Sequence, residues 1–258
     1  MTLNKLTINQ IKTKLADGEF SKADLEFWRD DTRQGVQTAI TQFERRIEKQ
    51  QAKQIAFNQR LEFEQTAWHS NMIVAGIDEV GRGPLAGPVV AAAVVLDQSF
   101  DLLAVHDSKQ LSLKMRQNLD QAIKQSVVDY AFGVVSVEVI DEVNIYEASR
   151  IAMKQAVEGL AVEVDQLLID AMTIDLPLPQ EKLIKGDDRS ISIGAASILA
   201  KNYRDQLMAD YAELYPGYGF EKNAGYGTKE HLAGLAKYGP SPIHRRTFAP
   251  VKKYLSAN

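Results

Sequence analysis

The sequence predicts an α/β fold, in which a central sheet is flanked by helices and preceded by a small helical extension. Up to about residue 70 the chain is rich in Gln, Glu, Arg and Lys and has a helical texture. From Met72 onward, short apolar runs rich in Val, Ala and Ile alternate with longer segments of helical spacing. We therefore expect a helical extension at residues 1–70 and a main domain at residues 71–258.

Composition limits the class of protein. The chain has 258 residues, of which 45% are hydrophobic and 25% charged, so it can bury a sizeable core. It contains no cysteine, which excludes disulfides, thiolate zinc sites and cysteine nucleophiles. With a net charge of -4, a nucleic-acid surface would have to be a local basic patch. The absence of a signal-like start, a long apolar run or a heptad seam leads us to expect a cytoplasmic monomer without membrane contact.

The extension is predicted to be helical along most of its length. "TINQIKTKLADGEF" resembles a short helix capped by Thr7, and residues 32–68 contain no Gly or Pro after Gly35. The nearly balanced charges of "FERRIEKQQAKQ" are typical of a solvated helix face. A contribution to substrate grip and a purely stabilising role are both open for this segment.

The main domain opens with three apolar runs that predict neighbouring antiparallel strands, namely "MIVAGID", "PVVAAAVVL" and "DYAFGVVSV". The helical spacing of "IYEASRIAMKQAVEGL" then predicts a crossover to a further strand, "VDQLLIDA", which gives the order βββαβ. The remaining elements are a strand in "EKLIKGD", a long helix in "SISIGAASILAKNYRDQLMADYAELY" and a shorter helix in "TKEHLAGLAKYG" that ends at Gly239 and Pro240.

Acidic residues end two of these strands. Asp78 and Glu79 end the first, and Asp170 ends the strand after the crossover. If the strands are neighbours, three carboxylates converge, and such a set of oxygen ligands selects Mg²⁺ or Mn²⁺. A single acid at a strand end is usually a turn or cap residue, but two acids in succession after a buried strand are hard to explain as turn or cap residues. A fourth acid, Asp187 or Asp188, follows the "EKLIKG" strand.

Two loop motifs leave alternatives open. Asp107 in "HDSKQLS" could precede a capped helix or lie in a loop near a phosphate path. "GRGPLAG" is neither a Walker loop nor a dinucleotide fingerprint, because no GK[ST] follows and the next element is a predicted strand. Its glycines would let the main chain approach a sugar-phosphate, with Arg82 near a phosphate oxygen, although a tight hairpin turn fits equally well.

The C-terminal third carries a local excess of positive charge. Residues 182–253 contain twelve Lys and Arg against seven Asp and Glu, and much of the excess lies in "HRRTFAPVKK". Interleaved aromatic residues suit phosphate contacts combined with stacking on a sugar or base, although such residues are also common in cores. The aromatic residues concerned are Tyr218, Phe220, Tyr226 and Phe248.

Taken together and in this order, the motifs resemble the ribonuclease HII family. They are "GIDEVGRGPLAGPVV", "LLIDA", "KGDDRSISIGAASILAK", "YRD", "GYGTKEH" and "HRRTFAPVK", and they extend from about residue 73 to residue 253. The resemblance implies a ribonuclease H-like fold. It also implies a metal-dependent endonuclease that cuts RNA in RNA/DNA hybrids and nicks duplex DNA 5′ of a single embedded ribonucleotide, as in ribonucleotide removal during DNA replication and repair.

The resemblance also assigns residues. It implies Mn²⁺ or Mg²⁺ held by four catalytic acids, Asp78, Glu79, Asp170 and Asp187, with Asp187 preferred over Asp188. The glycine loop that reads the ribose 2′-hydroxyl corresponds to Gly81, Arg82 and Gly83, and the recognition tyrosine to Tyr226. We also expect Lys185, Arg245 and Arg246 to contact the nucleic acid. A related carboxylate-dependent exonuclease or resolvase, and a binding module without catalysis, are the competing interpretations.

Overall fold

The computed structural model describes residues 6–105 and 112–255 and divides the chain into two compact units, Met1–Asn58 and Gln59–Asn258. The division predicted at residue 70 and this one differ in where they place residues 59–70. None of the helices in the described ranges combines the length and apolar character that crossing a bilayer requires. Asp107 lies outside the described residues, so its proposed place near a phosphate path stays a prediction.

The first unit is helical, with α1 (Ile8–Asp17), α2 (Lys22–Arg29) and most of α3 (Gln34–Arg60). Thr7 caps α1 as predicted, because its hydroxyl accepts from the backbone N–H of Gln10 in a capping box. A second capping box begins α2 at Ser21. These helices share a core of their own, formed by Ile11, Leu15, Trp28, Val36, Ala39 and Ile40.

The second unit is built on a five-stranded mixed sheet in the order β3-β2-β1-β4-β5. As predicted, the first three strands pair antiparallel, and β4 joins parallel to β1 after a helical crossover. The last strand pairs parallel with β4. The strands are β1 (Val74–Val80), β2 (Val89–Val95), β3 (Asp129–Val135), β4 (Gln166–Asp170) and β5 (Gln180–Leu183).

Helices in the second unit cover both faces of the sheet. The crossover helix α7 buries Ala152 and Met153 in one core with Ile77, whereas α9 packs its Ile193 against Val74 and Leu168. Within the described residues, the helices of this unit are α4 (Glu62–His69), α5 (Leu113–Ser126), α6 (Val137–Val143), α7 (Ile145–Glu158), α8 (Gly186–Arg189), α9 (Ile191–Leu214), α10 (Phe220–Asn223), α11 (Lys229–Tyr238) and α12 (Ala249–Lys252).

The close approach of α9 to β1 depends on a glycine. A side-chain carbon added at Gly76 would lie 2.3 Å from the hydroxyl oxygen of Ser192 and 2.4 Å from the backbone nitrogen of Ile193. No larger residue fits there, so β1 lies directly against the first turn of α9. The strand therefore presents Asp78, two residues further on, to the same helix.

The helices differ in detail from the sequence-based expectation. The helical stretch predicted at residues 32–68 is interrupted at Leu61, which separates α3 from α4. The segment "VEVIDEV", for which no element was predicted, forms α6. Helix α5 begins after Ser112, whose hydroxyl accepts from the backbone N–H of Met115, so a capped helix does begin at the end of the "HDSKQLS" motif.

Candidate active site

Three acidic side chains meet where β1 and β4 lie side by side. Ile77 of β1 is in register with Ile169 of β4, so the residue that follows each one reaches the same level of the sheet. One carboxylate oxygen from each of Asp78, Glu79 and Asp170 lies within 4.8 Å of the other two. The convergence predicted from the strand ends is present in the structure, and it forms an oxygen-only cluster suited to a hard divalent cation.

Burial makes this cluster electrostatically costly without a cation. Asp78 is only 6% exposed, and burial, followed by the charges of Glu79 and Asp170, raises its pKa well above the ordinary value. Burial also raises the pKa of Glu79 to about 7, although the nearby charge of Arg82 opposes that rise. Nη1 of Arg82 lies 3.5 Å from Oε1 of Glu79. A bound cation would favour the charged form of all three carboxylates.

One oxygen of the cluster supports the same interpretation. Oε2 of Glu79 is buried and has no hydrogen-bond partner among the described residues. A buried carboxylate oxygen without a donor is uncommon and requires an explanation such as a bound ion. The residues present therefore fit a divalent metal ion.

The fourth acid approaches the cluster from the loop after β5. Asp187 is buried in α8, whereas Asp188 is exposed, so the two adjacent acids differ in environment. The backbone N–H of Gly186 donates to Oδ1 of Asp170 at 2.6 Å, and the charge of Asp187 contributes to the raised pKa of Asp78. Lys185 is exposed and has a left-handed backbone, with φ 54°. Asp187 is thus a neighbour of the three-acid cluster, but it is not among the three closest groups.

The glycine loop follows β1 directly and is held from beneath by a buried arginine. Arg245, with 0% exposure, donates to the carbonyl oxygens of Gly81 at 2.5 Å, Arg82 at 2.9 Å and Gly87 at 2.8 Å. The predicted phosphate contact of Arg245 is therefore corrected, because its guanidinium has no exposed surface and is occupied by main-chain acceptors. Burial lowers the pKa of Arg245 to about 9, so the side chain stays charged at neutral pH.

A second buried arginine, Arg204 in α9, supports the other end of the same loop. It donates to the carbonyl oxygens of Ala86 at 3.1 Å, Pro88 at 2.9 Å and Ala224 at 2.9 Å. Gly81 has φ 96°, and a side-chain carbon there would lie 2.2 Å from Nε of Arg204. The buried arginines and this glycine fix the loop, while Arg82 and Gly83 remain exposed.

Tyr226 lies next to the exposed part of the loop. Its side chain is 47% exposed, and its carbonyl oxygen is 2.9 Å from Nδ1 of His231. The Nε2 atom of His231 is in turn 2.9 Å from Nε2 of His244, whose Nδ1 accepts from the backbone N–H of Ser241. Burial lowers the pKa of both histidines, so a neutral pair, with His244 donating to His231 and His231 to Tyr226, satisfies every bond.

The remaining basic and aromatic candidates have different environments. Arg246 is exposed, and its backbone N–H donates to Asp141 at 2.8 Å. Tyr218 and Phe220 belong to a buried cluster and Phe248 is partly buried against it, so these three serve the core rather than a stacking surface.

Several residues important to the site were not predicted from the sequence. Arg204 and the two histidines lie within the quoted motifs "YRD", "GYGTKEH" and "HRRTFAPVK", so the motifs themselves were the available signal. Ser197, which hydrogen-bonds Asp78 and lowers its pKa, lies in "SISIGAASILA" and was indistinguishable from the small residues around it.

Comparison with known proteins points to one family. Residues 75–251 match the family model described as ribonuclease HII, and residues 7–68 match that of the ribonuclease HII N-terminal domain. A ribonuclease HII from Lactobacillus johnsonii is 53% identical over 249 residues, which cover 96% of this chain and 99% of that relative. Another from Enterococcus faecalis is 57% identical over 229 residues, or 88% of this chain and 90% of that relative.

The fold agrees with a solved structure. The crystal structure of the ribonuclease H2 from Pyrococcus horikoshii OT3 superimposes with a TM-score of 0.60 at 28% identity. The match covers 71% of this chain and 97% of that one. The predicted mixed sheet of the ribonuclease H-like type, flanked by helices and preceded by a helical region, is confirmed.

Proposed function

Since this chain belongs to the ribonuclease HII family and is a metal-dependent ribonuclease H endonuclease, we propose that it acts on two kinds of nucleic acid. It hydrolyses the RNA strand of RNA/DNA hybrids, and it nicks duplex DNA on the 5′ side of single embedded ribonucleotides, leaving 5′-phosphate and 3′-hydroxyl ends. Such nicks would begin ribonucleotide removal during DNA replication and repair. The proposed substrate implies a cytoplasmic location, and we propose that the enzyme works as a monomer.

The observation that carries this proposal is the continuity of the acid cluster with the glycine loop. Only Val80 separates Glu79 from Gly81, so one strand end supplies carboxylates and an exposed main-chain segment. A scissile phosphate at the carboxylates would place its sugar beside that segment. Peptide groups can donate to and accept from a ribose 2′-hydroxyl, which is the group that distinguishes RNA from DNA.

We assign the metal to four carboxylates. Asp78, Glu79 and Asp170 would hold Mg²⁺ or Mn²⁺, because both ions accept oxygen ligands and Oε2 of Glu79 is buried without a hydrogen-bond partner among the described residues. Asp187 would complete the set on the side of the leaving oxygen, with Gly186 fixing the orientation of Asp170. When bound at these carboxylates, a divalent metal would supply activation of the attacking water and stabilisation of the leaving 3′ oxygen.

The proposed recognition surface consists of candidate residues that are exposed to solvent. Gly83 and the ring of Tyr226 form the contact for the ribose, and the cations of Arg82, Lys185 and Arg246 are exposed and available for phosphates. Arg245 contributes indirectly by fixing the loop carbonyls.

The test is cleavage of an end-labelled DNA duplex containing one ribonucleotide, with Mg²⁺, Mn²⁺ or EDTA, mapped at nucleotide resolution beside an all-DNA duplex. We expect a metal-dependent nick immediately 5′ of the ribonucleotide. Asp78→Asn and Asp170→Asn should abolish turnover while folding and hybrid binding persist. Asp188→Asn is the matched control for Asp187→Asn, because only Asp187 is buried.

Each competing activity has its own signature in this assay. Trimming from a labelled end would identify an exonuclease, and binding without metal-dependent turnover would identify a binding module. Wild-type activity in Asp78→Asn or Asp170→Asn would overturn the assignment of the site.

A further inference from the structure

A partly buried arginine links the end of α3 to the segment that carries the fourth acid. Arg60 is the last residue of α3 and belongs to the second unit of the chain. Its Nη2 atom donates to the carbonyl oxygen of Asp187 at 2.6 Å and lies 3.4 Å from that of Ser190, while Nη1 donates to the carbonyl oxygen of Val105 at 2.5 Å. One guanidinium thus holds both ends of α8 to the loop that follows β2.

A fully buried glutamate lies one turn further along the chain. Oε1 of Glu64 in α4, a residue with 0% exposure, accepts from the hydroxyl of Ser190 at 2.5 Å and from the backbone N–H and hydroxyl of Ser192 at 2.9 and 2.6 Å. A carboxylate at the N-terminus of a 24-residue helix is favoured by these donors and by the helix dipole. Glu64 therefore anchors the first turn of α9.

The segment between these anchors has little stability of its own. Helix α8 has four residues and no side-chain cap, and Lys185 before it has a left-handed backbone. So short a helix is marginal by itself, and its position depends on contacts from outside. Two of these contacts are the donation of Gly186 to Asp170 of the metal cluster and the donation of Arg60 to the carbonyl oxygen of Asp187.

The same anchors reach the strand that carries Asp78. Ser192, held by Glu64, packs against Gly76 so closely that a side-chain carbon there would lie 2.3 Å from its hydroxyl oxygen. A displacement of the first turn of α9 would therefore disturb both β1, which carries Asp78, and α8, which carries Asp187.

We propose that Arg60, supported by Glu64, is a positioning residue for Asp187, so that residues N-terminal to the nuclease sheet set the geometry of the metal site. This inference rests on the proposed function of Asp187 as a metal ligand. It also gives residues 60–64 a role distinct from substrate grip. A deletion of everything before residue 71 would remove Arg60 and Glu64 together with the rest of the extension, so point substitutions in the full chain are the sharper test.

The experiment compares Arg60→Met, Arg60→Lys and Glu64→Gln with Asp187→Asn as reference and Arg33→Met as matched control. Arg33 also donates to a main-chain carbonyl, that of Leu6, and to a carboxylate, that of Asp31, but entirely within the first unit. Two quantities are measured: the rise in melting temperature on titration with Mn²⁺ without substrate, and kcat and KM for the duplex with one ribonucleotide.

Arg60→Met should need about tenfold more Mn²⁺ for half-maximal stabilisation, since residues that orient metal ligands typically affect affinity by that order. Its kcat should fall by about tenfold or more while KM changes little, since the guanidinium of Arg60 is occupied by main-chain carbonyls. Arg60→Lys should recover part of the loss because an ammonium can still reach one carbonyl. Glu64→Gln should shift both quantities in the same direction as Arg60→Met, and Arg33→Met should leave both unchanged.

Wild-type Mn²⁺ dependence and kcat in Arg60→Met would overturn the inference, even if that variant melts at a lower temperature. If Arg60→Met does not fold, wild-type values in both Arg60→Lys and Glu64→Gln would overturn it. Wild-type Mn²⁺ dependence in Asp187→Asn would instead mean that the proposed ligand is wrong, which separates failure of the proposed function from failure of this inference.

Discussion

The main chain of Gly83 faces the ring of Tyr226, and a methyl group added to Gly83 would lie 3.4 Å from Cε1 of that ring. This distance is an ordinary van der Waals contact, so the free protein can accommodate alanine at residue 83. These are also the two groups that we propose to contact the ribose. A substitution at Gly83 can therefore change substrate cleavage without changing the stability of the fold.

Gly83→Ala should fold normally and cleave poorly. The added methyl would cover the exposed peptide group without a clash, so the melting temperature should stay close to that of the wild type. Loss of a hydrogen bond to the ribose should lower kcat/KM at a single ribonucleotide by about tenfold. Gly81→Ala is the contrasting control, because φ 96° and the clash with Arg204 should lower stability as well. Wild-type cleavage by Gly83→Ala would contradict the proposed reading of the 2′-hydroxyl.

Removing the ring of Tyr226 should reduce cleavage at single ribonucleotides while changing the stability of the protein little. Stacking on an aromatic ring contributes about 1–3 kcal/mol, so Tyr226→Ala should lose about tenfold or more in rate, whereas Tyr226→Phe isolates the effect of the hydroxyl. Tyr146→Ala is a matched control, since Tyr146 is also 47% exposed but lies on α7. Single-turnover rates on the one-ribonucleotide duplex and on a long hybrid provide the comparison. Equal rates for Tyr226→Ala and wild type would exclude a recognition role.

The adjacent arginines 245 and 246 should behave as opposites. Arg245→Met would leave the carbonyls of Gly81, Arg82 and Gly87 without their donor, and we expect it to cost roughly 3 kcal/mol of unfolding free energy. Arg246→Met should keep its stability but bind the hybrid more weakly, with the salt dependence of affinity reduced by about one phosphate contact. Urea unfolding and binding at several salt concentrations would measure both. A stable Arg245→Met variant with weakened binding would instead support a phosphate contact of Arg245, contrary to its buried position.

Without metal, the protein should become less stable as the pH rises through 7. Burial raises the pKa of Glu79 to about 7, so the folded state holds a proton that the unfolded state has already lost. The stabilisation from this group is complete below about pH 4.5 and is lost as the pH rises through 7, at a cost of up to roughly 3 kcal/mol. Asp78, whose pKa is also raised, acts in the same direction.

Urea unfolding in EDTA between about pH 4.5 and 8 would measure this loss as the difference between the wild type and Glu79→Gln. His231 and His244, whose pKa values are lowered in the folded state, gain protons on unfolding in the lower part of this range and act in the opposite direction, but both proteins share that contribution. Glu79→Gln should gain stability relative to the wild type as the pH rises, Asp188→Asn should follow the wild type, and Mn²⁺ should restore the stability of the wild type at pH 8. Parallel profiles of Glu79→Gln and the wild type would show that Glu79 carries no such penalty.

The centre of the fold and of the site could be predicted from local pattern. The runs around Ile77 and Ile169 are apolar, flanked by turn residues and followed by acid, and the helical spacing between them requires a parallel crossover. Because neighbouring parallel strands end at the same edge, the convergence of Asp78 and Asp170 was predicted on the condition that these strands are neighbours, which the pairing of β1 with β4 fulfils. The apolar run "PVVAAAVVL" likewise predicted a strand, and β2 is buried along its whole length.

The buried charges could not be predicted in this way. Arg245 lies in a basic run and Arg60 and Glu64 in a charged helical stretch, and both patterns are typical of solvated surfaces. These side chains are buried because they pair with main-chain groups of distant segments. Arg245 pairs with the loop carbonyls of Gly81 and Gly87, and Glu64 pairs with the first N–H groups of α9. Such partners are distant in sequence, so no local pattern reports them.

The position of β1 in the sheet also bears on how the enzyme reaches its native state. This strand pairs on one side with β2, its nearest neighbour along the chain, and on the other with β4, which is reached only after three helices and another strand. Local pairings form before distant ones, so the β1–β2–β3 meander should form early and the contact that brings Asp170 to Asp78 late. Mn²⁺ should therefore slow unfolding, measured by stopped flow, while leaving the refolding rate nearly unchanged. An acceleration of refolding would mean that the ion binds before the sheet is complete. An unchanged refolding rate would mean that the ion binds only after the chain has folded and stabilises the folded state without directing its formation.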